Sequence, residues 1–132
     1  MEKIKLIGSK FLEIKAERNL DFTGKLKLKT NINIISIEKV EKSKDTLKII
    51  YNFKVNYEDL GEIYIKGILF LISDINTIKN IIKNKENKEY NNEEYILITN
   101  LIIQKASLKA LELEEELNLP IHIKLPSISF KK

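Results

Sequence analysis

Thr46-Leu47-Lys48-Ile49-Ile50-Tyr51-Asn52-Phe53-Lys54-Val55-Asn56-Tyr57 puts an apolar residue at every odd position from Leu47 onward. Side chains of an extended strand point alternately to its two faces, so this stretch reads as a strand with one buried face. Lys48, Asn52, Lys54 and Asn56 then turn to water, and Ile50 is the one apolar residue on that side. Upstream, Leu26, Leu28, Ile32 and Ile34 alternate with polar residues until the phase slips to Ile35 and Ile37. One extra residue in a strand produces such a slip, so a β-bulge is expected near Ile34-Ile35. Glu41-Lys42-Ser43-Lys44-Asp45 is a polar hairpin connection between the two strands.

Downstream, Glu58-Asp59-Leu60-Gly61 reads as a turn, with glycine where a positive φ is tolerated. The next strand, Glu62 to Ile72, carries Ile63, Ile65, Leu69 and Leu71 on one side and Ile68, Phe70 and Ile72 on the other, which predicts cover on both faces. Lys3 to Arg18 reads as a first strand kinked around Gly8-Ser9. After Ser73-Asp74 the period changes to that of a helix, with Ile75, Ile78, Ile81 and Ile82 on one face. Asn84 to Asn92 is a polar connection, and Asn91 or Asn92 opens a long helix that Glu93 and Glu94 favour and that Pro120 ends after about Leu117. Ile121 to Pro126 alternates again and is expected to be extended. The fold class is therefore α+β: a four-stranded antiparallel meander followed by a short and a long helix.

The 132 residues make one domain, 1–132, with 43% hydrophobic and 32% charged residues, a mixture that folds rather than stays disordered. There is no cysteine, hence no disulfide and no thiolate chemistry. No apolar run reaches membrane-spanning length, and Met1 to Lys5 does not resemble a signal peptide, so a cytoplasmic location is expected. The formal charge is +4, with Lys and Glu interspersed rather than in blocks. The basic candidates are Lys25, Lys27 and Lys29 on one strand face and Lys79, Lys83, Lys85 and Lys88 around the first helix, where only Tyr90 lies close to the second group as a stacking aromatic, so nucleic-acid binding is not expected.

Chemistry finds little support in the residues. His122 stands alone between Ile121 and Ile123, without a second histidine at ligand spacing. Glu112, Glu114, Glu115 and Glu116 read as a solvated helix end with Lys109 one turn before. Gly8, Gly24, Gly61 and Gly67 are too scattered to cradle a phosphate, and Ser127 and Ser129 beside Pro126 have no nucleophile-elbow context. No enzymatic activity, metal site or cofactor is expected. Binding remains. Tyr95 to Ile103 is bulky around nearly its whole circumference, more than one sheet can cover, so self-association is expected through this segment, with Ile96, Ile98, Leu101 and Ile102 as interface candidates.

Three places in this order resemble the SecB export-chaperone family. Asp59-Leu60-Gly61-Glu62 is similar to that family's turn between its third and fourth strands, and Gly67-Ile68-Leu69-Phe70 to the close of its fourth strand. Leu119-Pro120, Leu125-Pro126 and Phe130 are similar to its arrangement after the long helix. Ile98-Thr99-Asn100 departs from the Phe-Pro pair often found early in that helix. The chain closes on Lys131-Lys132 rather than on acidic residues, and its outer sheet face is lysine-rich, so engagement of the SecA motor is not implied.

The resemblance implies a homotetramer, a dimer of dimers with long helices sandwiched between sheets. It further implies ATP-independent holding of unfolded polypeptides in apolar grooves, in the service of protein export. Phe11, Leu12, Phe22, Ile35, Ile37 and Leu97 are the candidate client contacts. The alternative is an oligomeric adaptor for one partner such as an antitoxin, or a nucleic-acid-binding protein.

Overall fold

The structure, a computed structural model, describes residues 4–20, 27–88 and 92–123. Its strands are β1 (Ile4–Arg18), β2 (Lys29–Lys39), β3 (Thr46–Asn56) and β4 (Gly61–Ser73), followed by helices α1 (Ile75–Glu86) and α2 (Glu93–Leu117). One antiparallel sheet holds all four strands in the order β1-β4-β3-β2. The short turns make β2, β3 and β4 a meander, while β1 adds to the free edge of β4. β1 and β2 are thus the edge strands.

Alternation in β3 and β4 does what the pattern demands. Leu47, Ile49, Tyr51, Phe53 and Val55 pair with the inward residues of β4 and are almost wholly buried, as are Ile63, Ile65, Leu69 and Leu71. Ile78 and Ile81 of α1 and Ile98, Ile102, Ala106 and Ala110 of α2 complete this single core. α1 rests against β2, and α2 against β4 and β1. Both helices lie on the face to which the odd residues of β3 point, so the expectation of cover on both faces of β4 is not met within one chain. Phe70 and Ile72 on the opposite side are only half-buried.

Two glycines are required by close approach. Gly61 has φ 153°, and a Cβ there would strike the carbonyl oxygen of Glu17, because the end of β1 pairs with β4 at this position. A side chain on Gly67 would collide with the ring and hydroxyl of Tyr51, its cross-strand partner. The bare backbone of Gly67 lets that ring lie across β4.

The expected bulge in β2 is present between Ile34 and Ser36. β1 has two, between Leu6 and Gly8 and between Phe11 and Glu13, which accounts for its irregular pattern. Asp74 caps α1 by accepting from the Thr77 amide at 2.7 Å, and Asn92 caps α2 through the Tyr95 amide at 2.8 Å. α2 ends at Leu117, three residues before Pro120, and Asn118, with a left-handed φ of 55°, closes the helix. Leu119 N–H then donates to Glu114 C=O at 2.8 Å, turning the chain back toward the helix it has left. Arg18, at the end of β1, donates to the carbonyls of Leu117 and Asn118, placing a cation at the negative end of α2. Ile121–Ile123 is a bend without strand pairing, not the extended segment expected, and Lys124 to Pro126 lies outside the described residues.

Candidate functional site

The apolar side chains left open to solvent follow from the sheet's edges. β-bulges insert a residue with no cross-strand partner, and at all three bulges that residue is a large aliphatic. Ile7, Leu12 and Ile35 are 55%, 52% and 50% exposed. Phe11 and Ile14 pair with Gly67 and Ile65 on the helix-bearing side, yet both remain exposed, since α2 reaches only part of the edge strand. β1 and the flank of α2 therefore bound a strip of apolar surface that the described residues do not fill.

α2 divides its residues between core and surface. Ile98, Ile102, Ala106, Ala110 and Glu114 recur every four residues and are fully buried. Ile96 and Ile103 are exposed, and Leu108 is 68% exposed. Leu97 and Leu101 lean on the core and stay partly accessible.

The sequence-predicted contacts thus separate. Phe11, Leu12 and Ile35 lie open, Leu97 is half-buried, and Phe22 lies outside the described residues. Ile37 is 3% exposed, because after the bulge it faces Ile49 on the core side. Of the interface candidates, Ile96 is open and Leu101 partly so. Ile98 and Ile102 are sealed beneath the helix by their own chain's sheet and are not available to another.

A polar cluster that residue patterns did not anticipate joins α2, β3 and the segment after α2. His122 is inserted between them, its Nδ1 2.9 Å from Glu114 Oε1 and its Nε2 3.0 Å from Ser107 Oγ. Tyr57 donates its hydroxyl to the other oxygen of Glu114. Phe53 meets the imidazole edge-on, with ring centroids 5.6 Å apart. Glu114, read above as part of a solvated acidic run, is completely buried, and its neighbours Glu112, Glu115 and Glu116 are exposed. Lys109 does pair with Glu112, at 3.2 Å. Burial, reinforced by the Glu114 carboxylate, pushes the Tyr57 hydroxyl far above the ordinary tyrosine range.

Ser107, His122 and Glu114 share the order of groups found in acyl-transfer triads, but the surroundings oppose such chemistry. Ser107 is buried in the middle of a helix whose amides bond within the helix, so no donors are left to hold an oxyanion. Every polar atom of the cluster has a protein partner, and among the described residues no buried side-chain polar atom lacks one. The arrangement clamps the segment 119–123 onto α2. A cue existed in the sequence, the i, i+7 pair Ser107 and Glu114 on the core-facing stripe of α2, but it identifies no partner.

Among the described residues no helix is long and apolar enough to cross a membrane, and no group of three or more His, Asp or Glu could hold a metal ion. No family model matches the chain, and a comparison with curated proteins finds no match. Among solved structures the fold is similar to the Mycobacterium tuberculosis Rv1957 SecB-like chaperone in complex with a ChAD peptide from the Rv1956 HigA1 antitoxin. The TM-score is 0.56 and the identity 9%, over 98% of this chain and 94% of that one. The chain therefore has a fold like that of a SecB-like chaperone.

Proposed function

We propose that this protein is an ATP-independent holdase that binds non-native polypeptides as a homo-oligomer. The observation that carries this reading is the row of open apolar residues along edge strand β1, Ile7, Phe11, Leu12 and Ile14, beside a helix that leaves Ile96, Ile103 and Leu108 uncovered. A monomer gains nothing from such groups in water, and each would gain up to about 1.5–3 kcal/mol if fully buried against a partner. The fold likeness to a SecB-like chaperone supports the same reading. Assembly as a dimer of dimers would cover the exposed side of α2, with Ile96, Leu101, Ile103 and Leu108 in the interface. The grooves left along β1 would then hold extended clients through Phe11 and Leu12, with Ile35 a further contact at the opposite edge, β2. Several weak patches on one assembly bind a long client with avidity. Work in the cytoplasm, ahead of export, suits this activity.

A second reading is an adaptor for one partner, favoured by the antitoxin peptide bound to the structural neighbour. One experiment separates the two. Several unrelated proteins are diluted from denaturant in the presence of the purified chain without ATP, and aggregation is followed by turbidity. Suppression across clients is the expected result. Suppression of a single client points to the adaptor, and of none refutes the holdase.

A further inference from the structure

We propose that the sheet face turned away from the helices docks a polypeptide segment in which carboxylates flank aliphatic or aromatic residues. This does not rest on the holdase reading, which uses β1 and the helix-bearing side. In the middle of the outer face, Ile68 pairs with Ile50, and Phe70 and Ile72 follow it on β4. Ile68 is only 9% exposed although no element among the described residues lies over it, which means that its neighbours close around it into a continuous apolar surface.

Charge around this patch is unbalanced in one direction. Lys15, Lys48 and Lys54 are each answered by a glutamate on the same face, Glu13, Glu38 and Glu62. Lys5 and Lys10, which pair with Ile72 and Ile68, have no carboxylate within ion-pair distance among the described residues. Nor has Lys66, next on the same face of β4. Lys5, Lys10 and Lys66 thus border the apolar patch without an ion-pair partner, while Lys48, opposite Phe70, is held by Glu38. Ile68 and Ile72 are four residues apart, so Lys5 and Lys10 stand roughly 13 Å apart along β1.

This spacing and sign select the occupant. A second copy meeting this face with its own brings no uncompensated carboxylate to Lys5, Lys10 and Lys66, because its glutamates are already paired, and residues 124–132 carry lysines but no acid. A nucleic acid would satisfy the lysines but not the patch, where Ile50, Ile68 and Ile72 cannot stack on bases. The aromatics of β4, Tyr64 and Phe70, are about 20 Å apart. An acidic-apolar segment satisfies both, with its carboxylates about 13 Å apart on either side of a bulky side chain.

The test uses the full-length protein and two synthetic peptides carrying a neutral dye, one alternating Glu with Leu and Phe, the other with Lys in place of each Glu. Fluorescence anisotropy is expected to show binding of the acidic peptide only, weakening as salt is raised. The double variant Lys5→Glu, Lys10→Glu changes two exposed residues and should keep the wild-type circular dichroism spectrum. It is expected to lower the affinity about tenfold, and Lys15→Glu, on the same strand but already paired, by less. Equal binding of both peptides, no loss in the double variant, or tighter binding of a single-stranded oligonucleotide than of the acidic peptide would each overturn the proposal.

Discussion

Replacing Glu114 by alanine tests whether the buried cluster holds the end of α2 and the returning segment together. The carboxylate accepts from Tyr57 on one oxygen and meets His122 Nδ1 at 2.9 Å on the other, in a site with no access to water. Removing it strands two buried polar groups. Each costs about 1–3 kcal/mol when left without a partner, so the two together cost about 2–6 kcal/mol. We expect Glu114→Ala to lose roughly 2–6 kcal/mol of the about 5–15 kcal/mol available to a domain of this kind. The assay is urea unfolding followed by circular dichroism, at equal protein concentration so that self-association cancels. Tyr57→Phe is measured alone and in the Glu114→Ala background. In the wild type it should cost about 1.5–3 kcal/mol, the worth of a hydrogen bond to a charged acceptor, and in the variant much less, because the acceptor has gone. A Glu114→Ala protein within about 0.5 kcal/mol of wild type, or a Tyr57→Phe cost equal in both backgrounds, would refute the coupled clamp.

Burial raises the hydroxyl of Tyr51 to about 12 and that of Tyr57 further still. A group raised in the folded state lends its stability fully below the unfolded value, near 10 for tyrosine. That stability is lost as pH climbs through the folded value. Stability is therefore expected to be level up to about pH 10 and to fall between there and pH 12, with two tyrosines ionising only as the chain unfolds. Ionisation of all five together in the folded protein, seen by tyrosinate absorbance, would contradict this. Gly67→Ala should cost about 1–3 kcal/mol by overpacking. Tyr51→Phe should recover only part of it, since ring carbons as well as the hydroxyl occupy the space. Leu108→Lys with Ile96→Lys should shift light scattering toward smaller species while leaving the unfolding transition of dilute protein nearly unchanged, because both side chains lie outside the core. Retention of the full assembly would remove α2 from the interface.

The strands and helices were legible because their signals are local. Alternation from Leu47 to Tyr57 marked the buried face of β3 correctly, and the slip at Ile34-Ile35 marked its neighbour's bulge. Both helix starts and the end of α2 followed from Asp74, Asn92 and Pro120, whereas α1 runs on to Glu86, past the expected connection at Asn84. The candidate contacts were legible only in part. Both Ile35 and Ile37 look apolar in the chain, and only the bulge decides that one faces water and the other the core. In the same way the bulk of Tyr95 to Ile103 was plain in the sequence, but not that Ile98 and Ile102 are its inward members and Ile96 its outward one.

What the amino-acid order determined by itself is therefore the four strands and two helices, the buried face of β3 and the helix starts, since these depend on periodicities and caps spanning a few residues. What tertiary structure alone decided is which distant groups meet. β1 pairs with β4 rather than β2, and Tyr57, Ser107, Glu114 and His122 converge across three elements. Glu114 looks no different in the chain from Glu115 beside it. The physical reason for its different fate is that a left-handed turn at Asn118 brings an imidazole back over one carboxylate and leaves the next in water.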